Sequence, residues 1–367
     1  SGGVNSHLRL LAVFCGDMKK RAESFCSISK KILNIRKTKW RENERYSGIA
    51  GKELGDMIFA LDTGNDKIKT ENMVTQAGLK KLDYVPERTE DALFYEGEYY
   101  METVNRLAYM YDKTVDDRYY ILALLALARE LYTGGEKKYP VKNGLIEVTL
   151  LVGLPPAHYA ALRTKFKDYF LRNNTPVSFG YKDKKYSVIF TEVVMNIQGY
   201  AVYLTLASKM NLNEYNKVCI VDFGGMTIDY LLLRYGELDK SDSLELGMIT
   251  LYNKIRSSIN RRCNLLLDEV DIFHILKRDK TRFSEQIIGY VFEIAKEHVI
   301  ELLGIFREIG IDFHTTLTIF VGGGSIVLAE ILEGVWKRYQ GEYFVIDDIH
   351  ANAKGYKIRY LIDHQAQ

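Results

Sequence analysis

The chain has 367 residues, of which 47% are hydrophobic and 27% are charged, so it can bury more than one core. Its net charge of +2 gives no reason to expect direct nucleic-acid binding by the body of the protein. No apolar run approaches the roughly 18 residues that a membrane-spanning helix needs. Four cysteines without metal-binding or redox spacing argue against a disulfide framework and favour a reducing cytoplasm.

The first 56 residues differ from the rest of the chain in charge. They carry 12 Lys and Arg against 6 Asp and Glu, a net of +6, whereas the remainder carries 38 against 42, a net of −4. The chain begins with Ser1, and Met57, where the first apolar strand starts, is a candidate native start. We interpret residues 1–56 as a basic N-terminal extension that is poorly ordered or derives from upstream translation. The alternative is a basic appendage that contacts DNA, an acidic partner or a neighbouring subunit.

The first predicted strand ends in an aspartate followed by a glycine. The apolar run from Met57 closes on Asp62-Thr63-Gly64-Asn65, and residues 66–70 continue it as a second strand. A glycine turn lets the backbone approach a bulky anion and offers it N–H groups. The aspartate can hold a hydrated Mg²⁺ beside phosphates. A plain hairpin is the alternative interpretation of this first glycine turn (residues 62–66).

Periodicity predicts mixed strands and helices between residues 71 and 190. Short runs bounded by polar turns indicate strands, and apolar residues at helical spacing before Gly134 indicate a helix. A nearly apolar run is typical of a strand in a sheet covered on both faces. In chain order the predicted elements are strands at 93–95 and 99–101, a helix at 116–132, a strand at 145–154, a helix at 157–172 and a hairpin of strands at 177–181 and 186–190.

A second glycine turn (residues 222–227) repeats the sequence pattern of the first. The β-branched run from Val218 ends in Asp222, Gly224 and Gly225 follow, and a second apolar run comes directly after Thr227 and Ile228. This pattern again predicts strand, tight turn and strand, with Asp229 at the start of the returning strand. Two Asp-Gly hairpins 160 residues apart are more specific than either of them alone.

A third glycine turn (residues 322–324) follows another buried-strand pattern. Thr318 to Val321 leads into Gly322-Gly323-Gly324, which opens a helix-like stretch over residues 326–339. Elsewhere in this half, periodicity predicts a long helix, further helices with mixed charge and two late strands. These elements lie at 248–267, 268–301, 343–346 and 357–362.

Together the three glycine turns resemble the actin-like ATPase superfamily. Asp62-x-Gly64 is similar to its first phosphate loop, Asp222-x-Gly224-Gly225 to its second, and the third glycine turn to its adenosine-binding turn. Within the superfamily the chain most resembles the ParM-like bacterial plasmid-segregation actins, through the Leu-Gly stretch at 243–247. The resemblance covers residues 57–362.

The resemblance implies an α/β actin-like fold. Two similar α/β domains, each with a mixed sheet flanked by helices, would enclose a nucleotide cleft. The implied divisions are the N-terminal extension at 1–56, domain I at 57–215 with a small inserted subdomain at 71–115, domain II at 216–362 with an outer subdomain at 245–300, and a tail at 363–367.

The resemblance also assigns roles in nucleotide hydrolysis. Asp62 and Asp222 would hold Mg²⁺, Lys69 would contact the β- and γ-phosphates, and Gln198 would orient the attacking water. The implied catalytic residues are Gln198, Asp222 and Asp229. The implied nucleotide-binding residues are Asp62, Gly64, Asn65, Lys69, Gly224, Gly225, Thr227, Gly322, Gly323 and Gly324.

Three positions have two interpretations. ParM-like proteins often carry a glutamate near Gln198, and Glu192 lies less than about two turns away if this stretch is helical. Lys254 is either a nucleotide contact or a solvated lysine on a helix. Leu328 lies where the superfamily often packs a side chain near the base, or it belongs to the core.

The resemblance implies a filament-forming, Mg²⁺-dependent ATPase that drives plasmid DNA segregation. Its partners would be further copies of itself and a DNA-binding adaptor, with no membrane involved. ATP is the expected nucleotide, with GTP as the alternative. Two other functions remain: a small-molecule kinase of the same superfamily, for which no convincing carboxylate base is visible, and an actin-like scaffold with little hydrolysis.

Overall fold

In a computed structural model, the protein is described over residues 56–86, 91–134, 139, 141–209, 211–279 and 282–365. The predicted basic extension lies outside the described residues except for Asp56. Two mixed sheets flanked by helices make up the described part of the chain. This arrangement confirms the α/β class predicted from the sequence.

The first sheet is built around a long, buried strand. Its strands are β1 (Met57–Thr63), β2 (Lys67–Lys69), β3 (Val74–Gln76), β4 (Leu79–Leu82), β5 (Leu93–Tyr95), β6 (Glu98–Glu102), β7 (Val141–Lys142), β8 (Leu145–Leu154), β9 (Val177–Tyr181) and β10 (Lys184–Ile197). They are ordered β3-β2-β1-β8-β10-β9-β5-β6-β4, and β7 pairs with β8. Strand β8 is parallel to both β1 and β10, which explains its nearly continuous apolar sequence.

The second sheet carries the second glycine turn at its centre. Its strands are β11 (Lys217–Phe223), β12 (Ile228–Arg234), β13 (Glu237–Leu244), β14 (Leu317–Val321) and β15 (Tyr343–Val345), in the order β13-β12-β11-β14-β15. Strands β11 and β12 are antiparallel, and their register places Asp222 opposite Asp229. Strand β14 runs parallel to β11, so the third glycine turn leaves the sheet at the same edge as the second.

Helices cover both sheets. They are α1 (Arg118–Gly134), α2 (Pro156–Leu171), α3 (Tyr200–Lys209), α4 (Met248–Cys263), α5 (Glu269–Leu276), α6 (Glu285–Glu308), α7 (Gly323–Val327), α8 (Ala329–Trp336) and α9 (Ala351–Gln365). Short 3-10 turns occupy Arg172–Asn174 and Leu212–Glu214. In the described part of the chain, no helix combines the length and apolarity needed to cross a membrane.

The predicted strand at 357–362 is wrong, because these residues belong to α9. Alternating apolar and polar residues suggested a strand, but Ala353, Tyr356 and Tyr360 recur at helical spacing and share a core cluster with Ala201. At Gly355 a Cβ would lie 2.5 Å from the Ala201 backbone, so this glycine permits close packing of α9 on α3. Helix α9 also packs on β1 and β8 of the first sheet.

Two helix predictions in the second half differ in their boundaries. Helix α4 ends at Cys263 rather than near residue 267, because Asn264 adopts φ 50° and donates its N–H to the Asn260 carbonyl at 2.9 Å. The helix predicted at 326–339 is two short helices, α7 and α8, the first of which already begins at Gly323.

Candidate functional site

The first glycine turn joins β1 to β2 and contains a buried carboxylate. Asp62 is 3% exposed, and Gln198 Nε2 donates a hydrogen bond of 2.8 Å to its Oδ1. Lys69 Nζ lies 3.7 Å from Asp62 Oδ2, since the two residues are paired across the hairpin. Both oxygens of Asp62 therefore have a polar partner within the protein.

The second glycine turn joins β11 to β12, and its aspartate is held from α9. The Gly224 N–H donates to the Thr227 carbonyl at 3.0 Å and closes the turn. Asn352 Nδ2 donates to Asp222 Oδ2 at 2.8 Å, and its Oδ1 accepts from the Gly199 N–H at 2.9 Å. Burial raises the pKa of Asp222; the charge of Lys69 opposes this rise, and the charge of Asp62 adds to it.

Asp229 is a third buried carboxylate, at the start of the strand that follows the second glycine turn. It is 5% exposed, and among the described residues its Oδ1 has no hydrogen-bond partner. Burial, followed by the charge of Asp222, raises the pKa of Asp229 to about 7. Because an unpartnered buried carboxylate oxygen is costly, this position favours a cation or a proton donor.

The third glycine turn lies directly against the second. Gly322 adopts φ 86°, and a Cβ there would lie 2.2 Å from Asp222 Oδ1. A Cβ on Gly324 would lie 2.9 Å from the Phe223 Cβ and 2.7 Å from the Met248 Cγ. Both positions therefore require glycine, because any side chain would displace the second glycine turn or α4.

The first and second glycine turns face each other. A Cβ on Gly225 would lie 2.6 Å from the Asp66 Cβ, so the two turns approach closely. They border a cleft of about 330 Å³ between the two sheets. The predicted site residues that line this cleft are Asp62, Gly64, Asn65, Lys69, Gln198, Asp222, Gly224, Gly225, Thr227, Asp229, Gly323 and Gly324.

One wall of the cleft is suited to a planar, partly apolar group. Helix α4 contributes Met248, Ile249 and Tyr252, while α5 and the residue after it contribute Phe273 and Lys277. Such a wall beside glycine turns is typical of small-molecule sites, which combine apolar surface with a few polar groups.

Lys254 and Leu328, for which the sequence allowed two interpretations, lie outside this wall. Lys254 Nζ donates to Glu301 Oε2 at 2.7 Å, and the residue does not line the cleft. Leu328 is fully buried in the core of the second sheet. These placements favour the surface-lysine interpretation of Lys254 and the core interpretation of Leu328.

An ion pair at the cleft links two halves of the molecule, one built on the first sheet and the other on the second. Arg106, which follows β6, donates two hydrogen bonds to Glu269 at the start of α5, with distances of 2.6 and 3.0 Å. Glu269 itself lines the cleft. The two side chains are 28% and 31% exposed, so the pair is only partly screened by solvent.

Gln198 lies in the cleft, but the stretch from Glu192 to Gln198 is not helical. Strand β10 ends at Ile197 and α3 begins at Tyr200, so Gln198 lies in the turn between them rather than on a helix. Glu192 belongs to β10 and is exposed. Since six residues of extended strand span about 20 Å, Glu192 cannot replace Gln198 in the cleft.

Sequence reasoning missed Lys113 and Asn352. Lys113 is 5% exposed, lines the cleft, and donates from Nζ to the Thr63 carbonyl. Burial lowers the pKa of Lys113 to about 8, against the opposing charges of Asp62 and Asp229. Neither residue lies in a glycine motif or a periodic apolar pattern, so no local signal marked them.

The carboxylates fit a hydrated magnesium ion better than a fully protein-bound metal. Within the described residues, no three His, Cys, Asp or Glu side chains form a metal-binding group. Mg²⁺ in phosphate sites commonly takes only one or two carboxylates and completes its shell with water and phosphate oxygens. Asp62 and Asp222 could hold it in this way, and the unpartnered oxygen of Asp229 lies beside them.

Comparison with known proteins supports an actin-like chain. Residues 60–200 match the family model described as the N-terminal domain of actin-like proteins. No curated protein sequence matches the chain.

Solved structures with the same fold include several actin homologues. The archaeal actin homologue Ta0583 has a TM-score of 0.64 and 16% identity over 84% of this chain and 99% of its own. Bacillus thuringiensis ParM with ATP has a TM-score of 0.60 and 14% identity over 84% and 99%. The Alp12 filament structure has a TM-score of 0.57 and 16% identity over 83% and 98%. The predicted actin-like fold is confirmed, and the family model supports the resemblance to actin-like proteins over residues 60–200.

Proposed function

Taking this actin-like, ParM-like fold as the premise, we propose that the protein is a nucleotide-dependent, filament-forming ATPase. The observation that supports the proposal is the convergence of three glycine turns and three buried aspartates on one cleft between two sheets. Glycine turns can offer backbone N–H groups to phosphates from both sides. The apolar wall of α4 would take the base, with ATP as the expected nucleotide and GTP as the alternative.

The residues of the cleft have distinct proposed roles. Asp62 and Asp222 hold the waters of a Mg²⁺ ion, which when bound neutralises charge on the phosphates. Gln198 donates to Asp62 through Nε2, and its Oε1, which has no hydrogen-bond partner among the described residues, can accept from the attacking water and orient it. Asp229, whose pKa is near 7, is suited to accept the proton that this water loses. Because phosphoryl transfer depends mainly on positioning and electrostatics, this set of residues suits slow hydrolysis.

Assembly into a filament is the second part of the proposal. Among proteins of the same fold, Alp12 is described as a filament. Nucleotide binding would draw the two halves together across the Arg106–Glu269 pair and favour assembly, and hydrolysis would weaken the filament. In this scheme the protein segregates plasmid DNA through a DNA-binding adaptor. The free Cys219 and Cys263 fit a reducing cytoplasm.

One observation favours a second candidate, a small-molecule kinase. Such an enzyme needs a carboxylate base that faces its acceptor hydroxyl, and Asp229 offers an unpartnered, buried oxygen in the cleft. In a kinase, the acceptor would occupy the position that water takes in the ATPase.

Light scattering with sedimentation tests the proposal. The wild-type chain is mixed with ATP, GTP or neither, always with Mg²⁺, and phosphate release is followed in parallel. Scattering that rises only with nucleotide, followed by phosphate release, is expected. Nucleotide binding without assembly would contradict the filament proposal, and phosphate transfer in an acceptor screen would then identify a kinase.

A further inference from the structure

A buried lysine in the cleft has no role in the proposal above. Lys113 belongs to the segment between β6 and α1 and is 5% exposed. Its side chain reaches the first glycine turn, where Nζ donates to the carbonyl of Thr63. Nζ also lies 4.9 Å from the centroid of the Tyr119 ring.

The ammonium group of Lys113 has hydrogen-bonding capacity left over. A lysine carries three N–H donors, and among the described residues the Thr63 carbonyl is its one hydrogen-bond acceptor. No described carboxylate comes within ion-pair distance of it, whereas Lys69 lies 3.7 Å from Asp62. A buried ammonium with a single neutral acceptor is costly, unless an anion completes its surroundings.

The position of Lys113 indicates which anion would do so. Thr63 directly precedes Gly64, so Lys113 is anchored to the backbone of the turn that faces the second glycine turn. The negative charges of Asp62 and Asp229 act on Lys113, and both carboxylates line the same cleft. A terminal phosphate between the two turns would lie within reach of its remaining donors.

We propose that Lys113 binds the terminal phosphate of the nucleotide triphosphate, and so distinguishes triphosphate from diphosphate. The inference rests on the proposed nucleotide function of the cleft. Lys113 keeps its bond to Thr63 while its other donors contact the γ-phosphate oxygens. Its segment also carries Arg106, which pairs with Glu269, so occupation of the γ-phosphate position would order the connection between the two halves.

Binding measurements on matched variants test this inference. The affinities for ADP and for a non-hydrolysable β,γ-imido ATP analogue, each with Mg²⁺, are compared in wild type, Lys113→Gln and Lys113→Arg. The control is Lys165→Gln, which removes a surface lysine that pairs with the adjacent Asp112 at 2.5 Å. Lys113→Gln is expected to lose about 10- to 100-fold in affinity for the triphosphate analogue, and less than about 2-fold for ADP. Lys113→Arg should recover part of the loss.

Other outcomes would overturn the inference. Equal losses for both nucleotides would show that Lys113 only supports the turn, and no loss would show that it contacts neither. If wild type binds neither nucleotide, the proposed function fails together with this inference. If wild type binds both but Lys113→Gln discriminates as wild type does, only the inference fails.

A measurement on the wild-type protein avoids any folding defect of the variants. An ATP analogue with an acyl group on its γ-phosphate transfers that acyl group to a nearby lysine amine and leaves as ATP. Peptide mapping should find the acyl group on Lys113, with protection by excess ATP and weaker protection by ADP. Labelling of Lys69 or surface lysines without Lys113 would contradict the inference.

Discussion

The first and second glycine turns have similar sequences but satisfy their carboxylates differently. In the first, Asp62 is held by Gln198 and Lys69. In the second, Asp222 has Asn352 as its hydrogen-bond donor, and the facing Asp229 keeps an unpartnered oxygen. The protein thus gives both oxygens of Asp62 a polar partner, whereas one buried oxygen of Asp229 has no hydrogen-bond partner among the described residues.

This difference indicates that the two glycine turns have different functions. A fully partnered carboxylate is already oriented, so Asp62 positions Gln198 and Lys69 around the cleft. Burial raises the pKa of both Asp222 and Asp229, and a buried carboxylate of this kind is stabilised in its charged form by a cation. A bound cation should therefore stabilise the second glycine turn more than the first.

The largest effect is expected from Asp222→Ala. Removing this carboxylate takes away one of the two proposed magnesium contacts, so phosphate release should fall roughly 100- to 1,000-fold. Nucleotide-dependent scattering should disappear as well. Asp239→Ala is the control, because Asp239 forms an exposed pair with Arg234 on the same sheet. Activity that survives Asp222→Ala would contradict the role given to the second glycine turn.

Gln198→Ala tests the first glycine turn. If Gln198 orients water from its bond to Asp62, hydrolysis should slow by roughly 100-fold while nucleotide affinity changes little. Single-turnover hydrolysis and equilibrium binding measure the two quantities separately, and Gln286→Ala on the exposed face of α6 is the control. An equal fall in hydrolysis and affinity would assign Gln198 to nucleotide binding instead.

Asp229→Asn should change how stability depends on pH. The folded pKa of Asp229, about 7, lies above the ordinary value, so the folded state holds more protons than the unfolded state below that pH. This contribution to the free energy of unfolding is present at low pH and is lost as pH rises towards 7. Between about pH 5 and about pH 8 this loss amounts to about 2.5 kcal/mol.

Urea unfolding at several pH values measures the effect of Asp229→Asn. The variant should lack this loss and be more stable than wild type above about pH 7, while the raised pKa of Asp222 leaves a dependence in the same direction. Asp239→Asn should behave as wild type. Parallel curves for wild type and Asp229→Asn would show that Asp229 is already compensated.

The smallest effect is expected from Arg106→Ala, which removes the ion pair between the two halves. A partly exposed pair of this kind contributes about 1 kcal/mol, so nucleotide should dissociate about 5-fold faster. Stopped-flow displacement of a fluorescent nucleotide measures the rate. Arg278→Ala is a matched control, since Arg278 also donates two hydrogen bonds to a glutamate, Glu330, but within one half. An identical dissociation rate in both variants would show that the Arg106–Glu269 pair does not help to close the cleft.

Much of the fold and most of the site could be predicted because their signals are local. An apolar β-branched run followed by Asp-x-Gly specifies strand, turn and strand whatever surrounds it. The same holds for the helical spacing of α1 and for the apolar run of β8. Of the predicted site residues, all but Gly322 line the cleft, and Gly322 abuts Asp222.

Predictions failed where long-range packing decides the structure. The segment of α9 has an alternating pattern, and its helical state depends on the fit of Ala353, Tyr356 and Gly355 against α3. Gln198 lies in a turn because β10 runs on to Ile197 beside β8.

The strands, the three glycine turns and the aspartates beside them follow from the amino-acid sequence alone, because each is specified by neighbours a few residues away. Tertiary structure decides which polar groups meet. Asn352 reaches Asp222 across 130 residues of chain, and Lys113 reaches Thr63 across 50. Such contacts depend on how two sheets and their helices pack, and packing is a property of the whole chain. For the same reason, only the folded molecule reveals that both oxygens of Asp62 have a polar partner, whereas Oδ1 of Asp229 has none among the described residues.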